Sequence, residues 1–379
     1  MHIVSCAAPY GAGGLGLHLR NVVEDLGREP EISGICYCTG FRSAKPTMRT
    51  HTVDLSPLTK SRAFRLARFI PGLQAHWGND AFDRNVASQI TRHAGTITAF
   101  NGQALRTFTK ASQYGCTNLH LECATAHARF TELRHAQALR SFPYEGAWLH
   151  PLQVSKTLRE YESATTITVN SSYAYATMCE YGVSEQKLHI RRLRIDTNMF
   201  RPTTKANEIG KLTVLYVGSL TVTKGVPVLM EAFVRAGIPD SRLILCGGWS
   251  SHGMRRYIEA MLQRHHNIMR VSGDSLPYYH SAHIYVHPSF QDGFGYAPLE
   301  AAACGLPVVL TTDTGMSEAL VPSDAAIVLR AGDISALVDA LRKLSGSPSF
   351  RSTLGARARD AAVRWCASHK PTNVPLHLH

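Results

Sequence analysis

The sequence predicts an α/β protein of two domains, each a parallel sheet covered by helices, and three observations carry that expectation. Short apolar runs alternate along the chain with amphipathic segments, as strands buried on both faces do when helices cross over them. The pattern of strand, glycine turn and helix begins afresh at Leu212, after the polar stretch Arg201-Pro202-Thr203-Thr204-Lys205-Ala206-Asn207-Glu208. The 379 residues, 44% of them hydrophobic, suffice for two cores. The expected division is an N-terminal domain over 1–200, a linker at 201–208, a C-terminal domain over 209–350, and a last segment over 351–379.

Taken in order, the clearest strands of the first domain are His2 to Ala7, Ile32 to Cys38, Thr96 to Phe100, Leu119 to Cys123 and Thr166 to Val169. Those of the second are Leu212 to Val217, Arg242 to Cys246, Ile284 to Val286 and Pro307 to Leu310. Helices fill the intervals, among them Val226 to Ala236 and Ser335 to Ser345, the latter opening after Asp333 as its cap. Two such sheets in one chain are expected to bind ligands at the carboxyl ends of their strands, in a cleft between the domains.

Composition narrows the class. No apolar run is long enough to span a bilayer, and Met1-His2-Ile3-Val4-Ser5-Cys6 has no basic leader region, so a cytoplasmic protein is expected. Nine scattered cysteines without metal spacing fit reduced, packed thiols. A formal charge of +12 points to an anionic partner. Arg62, Arg65 and Arg68, with Phe64, Ala67 and Ile70 beside them, fit a helix lying on an anionic membrane, so a peripheral place on the inner face of the plasma membrane is compatible with the sequence. Nucleic-acid signatures are missing, and no nucleic-acid partner is expected.

Three motifs carry chemistry. Gly11-Ala12-Gly13-Gly14-Leu15-Gly16 follows the first strand and opens a helix, so Gly13 and Gly14 can bring backbone N–H groups to an anion. A nicotinamide site would also need an acid ending the second strand, where this chain has Cys38-Thr39-Gly40. Gly218-Ser219-Leu220-Thr221-Val222-Thr223-Lys224-Gly225 repeats the arrangement and adds Lys224, whose cation suits a diphosphate acquiring charge as a leaving group. In His287-Pro288-Ser289-Phe290-Gln291-Asp292-Gly293-Phe294-Gly295-Tyr296-Ala297-Pro298-Leu299-Glu300, a strand enters a glycine loop carrying Asp292, and the following helix carries Glu300. Carboxylates accept bonds from vicinal hydroxyls, so one can hold a hexose and the other a ribose, while Gly293, Phe294 and Gly295 present amides to phosphate or sugar oxygens.

This string resembles the donor signature of the retaining glycosyltransferases of family four, of the GT-B fold, in which two acids flank seven residues around Gly-Phe-Gly. Arg194-Ile195-Asp196-Thr197-Asn198-Met199-Phe200-Arg201-Pro202 is similar to that family's interdomain segment, Lys224-Gly225 to its diphosphate lysine, Cys246-Gly247-Gly248 to its next strand end, and Gly305-Leu306-Pro307-Val308-Val309 to the strand behind the donor. The likeness is strong over about residues 165–345 and only in outline before that. Three positions depart from the pattern: Asp292 stands where Glu is usual, Ser219 where many members have an arginine, and Arg194 where glycine is usual.

The resemblance implies two Rossmann-like domains facing each other across a deep cleft, the last helix crossing back to the first. It also implies transfer of a hexosyl unit, with retention, from a nucleoside diphosphate sugar such as a UDP- or GDP-hexose to a saccharide or glycolipid hydroxyl, in cell-surface polysaccharide or glycolipid biosynthesis. No metal or other cofactor is expected. Family members present a histidine to the donor sugar from a strand end of the first domain. His127 is the first candidate here, with Glu122 and His120 behind it, and Arg192 or Arg194 as further cations near the diphosphate. Glu160 and Glu162 are expected to serve packing, and His283 and His287 to be structural. An epimerase or phosphorylase of the same fold, a silent sugar-nucleotide binder and a polyanion-binding scaffold are the competing classes.

Overall fold

The computed structural model describes residues 1–28, 33–41, 48–146, 148–203 and 211–367. The chain divides into two compact units. The first comprises Met1–Glu132 and Gly146–Leu193, and the second Leu133–Glu145 and Arg194–Lys370. The linker expected at 201–208 lies, from residue 204 onward, outside the described residues.

The first unit holds a seven-stranded parallel sheet in the order Arg49–Thr52, Gly34–Cys38, His2–Ser5, Thr96–Phe100, Asn118–Cys123, Thr166–Val169, Leu188–Ile190. Its faces carry separate cores because successive strand residues point to opposite sides. Val4, Cys6, Cys36 and Cys38 meet Leu19, Val22 and Val23 of the Gly13–Leu26 helix. Ile3, Ile97, Leu119 and Leu121 meet Phe82, Phe108, Val154 and Tyr161 on the opposite side.

The second unit holds a six-stranded parallel sheet in the order Ile268–Val271, Ser241–Cys246, Leu212–Val217, Ile284–His287, Val308–Thr311, Ala326–Leu329. From Leu212–Val217 the chain winds outward through two strands on one side, then returns to Ile284–His287 on the other. These two neighbours flank the switch point where open sheets of this kind bind ligands. The helix Pro348–Ala367 packs on Tyr296–Ala303 within this unit, with Gly355 so close to the Gly305 carbonyl that a Cβ would lie 2.2 Å from its oxygen.

The unit boundary falls inside the helix Ala128–Ser141. Its last turns and the residues after it pack in the second unit, where Ala138 and Phe142 join the core. Tyr144 stacks on Tyr257 at 4.0 Å, and Glu145 accepts hydrogen bonds from the Val222 amide (2.8 Å) and the Ser250 hydroxyl (2.9 Å). Arg134 pairs with Asp313 in the same unit.

All nine cysteines are free and none forms a disulfide, as their scatter leads one to expect. Among the described residues no helix is long and apolar enough to cross a membrane. The segment read as one surface helix is instead a short helix, Arg62–Leu66, capped by the Ser61 hydroxyl, followed by a 3-10 turn, Ala67–Phe69. The break buries Ala67 and leaves Leu66, Phe69 and Ile70 exposed.

Candidate active site

The second unit gathers Lys224, Asp292 and His287 at its switch point. Leu212–Val217 ends in the loop 218–225, whose backbone is drawn tight by the Thr221 hydroxyl, which accepts from the Lys224 amide at 2.9 Å. Gly225 then turns with φ +69° and opens the helix Val226–Ala236; a Cβ there would lie 1.9 Å from the Pro288 carbonyl oxygen. Only glycine fits such a contact and such a φ. The approach brings the two glycine loops together: the Phe290 amide donates to the Thr223 carbonyl (2.8 Å), and the Ser289 hydroxyl donates to the same oxygen (3.2 Å).

From this scaffold Lys224 Nζ reaches Asp292 Oδ2 at 2.6 Å, and His287 Nε2 donates to the same oxygen at 2.9 Å. His287 is held by Tyr285, whose hydroxyl lies 3.3 Å from Nδ1; a neutral ring protonated at Nε2 satisfies both contacts. Burial lowers the His287 pKa against the opposing pull of Asp292. Burial would raise the Asp292 carboxyl, but the Lys224 charge and the His287 bond overcome it and hold Asp292 below the usual carboxylate range. Its loop is pinned to the neighbouring one, the Asp292 amide donating to Asp313 (2.9 Å) and the Gly315 amide to the Asp292 carbonyl (3.0 Å).

Glu300 sits in the helix Tyr296–Ala303, which starts at Gly295 (φ +94°) with no side chain capping its first turn. It is buried, and the Tyr279 hydroxyl donates to Oε2 at 2.8 Å. Burial raises its pKa to about 7 despite that bond, and Asp274 pushes the same way. Gly293, Phe294 and Gly295 are buried in the loop, with the Met316 amide donating to the Phe294 carbonyl (2.7 Å). Gly218 turns with φ +146°, and Ser219 is exposed beside it, its carbonyl accepting from Tyr216 Oη (2.8 Å).

The residues singled out in the first unit form a different picture. Gly13 and Gly14 are exposed at the start of their helix, whose first turn has no side-chain cap. Glu122 is buried with Arg191 Nη2 3.1 Å from one oxygen and His18 Nε2 3.2 Å from the other. Burial alone would raise Glu122, yet Arg191 and His18 draw it down to about 2. His120 bonds the Thr168 hydroxyl (2.7 Å) and is lowered to about 4 by burial. His127 is 3% exposed, its ring stacked on Tyr181 and its Nδ1 accepting from the Arg129 amide (3.3 Å). Arg192 is exposed, and Arg194, counted with the second unit, is half-buried. Glu160 serves packing as expected, accepting the amides of Gly102, Ala104 and Leu105.

Residues 201–361 match the family described as Glycosyl transferases group 1. Among curated proteins, the capsular polysaccharide biosynthesis glycosyltransferase CapM of Staphylococcus aureus is 23% identical over 181 residues, which are 46% of this chain and 48% of that protein. The chain spans about half the length of the curated relatives it matches. Among solved structures, sucrose-phosphate synthase from Thermosynechococcus elongatus superposes with a TM-score of 0.74 at 20% identity, covering 96% of this chain and 94% of that one. Anabaena Alr3699/HepE, solved in complex with UDP and glucose, gives 0.70 at 13% identity, with 97% of each chain covered. The fold is therefore GT-B, that of nucleotide-sugar glycosyltransferases. Within it, residues 201–361 are similar to the group 1 glycosyl transferases, the resemblance that the donor motif of the sequence also carries.

His287, read from sequence as structural, lies against Asp292, and Tyr279 is a residue beside Glu300 that sequence reasoning did not name. His287 was legible as a polar residue closing an apolar strand five positions before Asp292, whereas nothing in sequence ties Tyr279 to Glu300.

Proposed function

We propose that the chain is a glycosyltransferase that moves a hexosyl unit from a UDP- or GDP-hexose to a saccharide or glycolipid hydroxyl with retention, in cell-surface polysaccharide or glycolipid biosynthesis. The observation that carries the reading is the Lys224, Asp292 and His287 cluster at the switch point of the unit that matches the family. Both bonds to Asp292 fall on Oδ2, so Oδ1 is the oxygen offered to a sugar hydroxyl. In the same way Tyr279 occupies Oε2 of Glu300 and leaves Oε1 for a ribose hydroxyl. The bond from the anomeric carbon to the diphosphate breaks while the acceptor oxygen bonds the same face, and the acceptor's proton passes to the departing diphosphate. Lys224, with the amides of Phe294 and Gly295, stabilises the charge that grows there, so the reaction proceeds without a metal. Unchanged turnover in excess EDTA is the check on that last point.

Gly13 and Gly14 enter the proposal as a second anion-binding turn, and Arg192 and Arg194 as further cations for the diphosphate. His127 touches a sugar only if its packed ring is uncovered. Leu66, Phe69 and Ile70, flanked by Arg62, Arg65 and Arg68, support peripheral contact with an anionic membrane at the cytoplasmic face.

A thermal-shift panel of UDP-, GDP- and ADP-sugars tests the donor class, since a ligand selective for the native state raises its melting point. One sugar nucleotide is expected to stand out. Released nucleoside diphosphate and an α-to-α anomeric outcome with acceptor present would then establish transfer; stabilisation without transfer or slow hydrolysis would leave only a binding protein.

A further inference from the structure

The first unit carries a second basic site that none of the donor chemistry uses. Three helices, Leu73–Ser88, Leu105–Gln113 and Pro151–Ser163, frame an open cleft of about 690 Å³. Five cations line it, Arg84, Arg106, Lys110, Lys156 and Arg159, against the single carboxylate of Asp80.

Asp80 organises the cations rather than neutralising them. Arg106 grips it with two bonds, Nε to Oδ1 at 2.8 Å and Nη2 to Oδ2 at 3.0 Å. Arg84 adds a third at 3.1 Å, and Lys156 lies 3.4 Å away. With Asp83 on Lys156, two carboxylates hold three cations in place, and Lys110 and Arg159 raise the surplus of positive charge to three. Lys156 is further fixed by Asp83 at 2.7 Å and is almost fully buried, so its ammonium is a built part of the wall. Lys110 rests over the Tyr114 ring at 4.5 Å, and Arg159 is exposed; neither has a carboxylate partner among the described residues.

The amides at the start of Leu105–Gln113 do not account for this charge. Glu160 already accepts those of Ala104 and Leu105, and Asp83 those of Arg106 and Thr107. The attraction for an anion therefore comes from side chains converging on one hollow. Guanidinium groups pre-oriented by a carboxylate present their remaining N–H donors as a fork, the geometry that phosphate accepts. A volume of about 690 Å³ exceeds what one inorganic phosphate fills and falls in the range of small-ligand sites.

We propose that this cleft binds a phosphorylated ligand carrying at least two anionic charges, at a site separate in its residues from the donor cluster. The ligand is either a soluble phosphorylated metabolite or the phosphate headgroup of a lipid.

The test uses the full chain and inorganic pyrophosphate as probe, with calorimetry for affinity and hydrogen exchange for location. Binding is expected to protect peptides from 76–88, 105–113 and 152–159. The double variant Arg84→Gln, Arg159→Gln, which alters exposed side chains only, should weaken pyrophosphate at least about tenfold. It should leave the sugar-nucleotide thermal shift as in the wild type, so the two sites fail independently. Displacement of pyrophosphate by phosphatidic acid vesicles, whose phosphate monoester carries up to two charges, would assign the lipid source, and indifference to vesicles the soluble one. Pyrophosphate affinity unchanged in the double variant, or protection confined to 218–225 and 293–303, would overturn the proposal.

Discussion

At Glu300 two opposing demands meet. A buried carboxyl resists ionisation, yet the proposed contact with a ribose hydroxyl calls for a carboxylate. Its folded pKa of about 7 lies above that of an unfolded chain, so its contribution to stability is complete in acid and is lost as pH rises through about 7. Donor affinity should run the other way, tightening by up to about tenfold per pH unit below pH 7 and levelling above it. In Glu300→Gln that dependence should vanish and the donor should bind about 10- to 100-fold more weakly. Titration of donor binding between pH 5.5 and pH 8.5, as an experimental range of about three units, would show it; wild-type affinity in the variant would refute the ribose assignment. Lys224→Ala is expected to act on a different quantity. On the proposed reading the lysine meets charge that grows in the transition state, so kcat should fall about 100- to 1,000-fold while donor affinity changes less. Steady-state kinetics beside direct binding separates the two, and an equal loss in both would make Lys224 a ground-state contact.

Among the elements, the turn at Gly225 is the most exposed to a single change. Gly225→Ala adds a Cβ where φ is +69° and the Pro288 oxygen would be 1.9 Å away. A loss of about 3 kcal/mol is expected, read as an earlier urea midpoint. The central strands were legible because burial on both faces demands an unbroken apolar run: Thr96–Phe100, Thr166–Val169, Leu212–Val217 and the helix Val226–Ala236 fall where the sequence puts them. Within the two large sheets, the four described strands that the pattern does not single out are the four edges, Arg49–Thr52, Leu188–Ile190, Ile268–Val271 and Ala326–Leu329. Arg49-Thr50-His51-Thr52 contains no apolar residue, and an edge does not require one. Ala326–Leu329 is the exception, apolar throughout, and its signal lies in the sequence. The paired state of Glu122 was illegible for another reason: His18 and Arg191 lie 104 and 69 residues from it, and no local spacing reports such a contact.

For the whole molecule, the sequence suggests a cut at the linker, whereas contacts assign Leu133–Glu145 to the later unit. A fragment beginning at 209 would therefore lack Phe142, Tyr144 and the Glu145 carboxylate that holds the Val222 amide. It is expected to melt at least about 5 °C below the corresponding transition of the full chain. Restoring 133–145 by a fused segment should recover most of the difference; a fragment as stable as the parent would show that these contacts contribute little. The same arrangement has a meaning during synthesis. Phe142 leaves the ribosome well before the strands it will cover, and at typical translation rates it waits on the order of ten seconds for them. Throughout that interval Ala138, Phe142 and Tyr144 have nothing of the later unit to pack against, and the nascent polypeptide carries them uncovered.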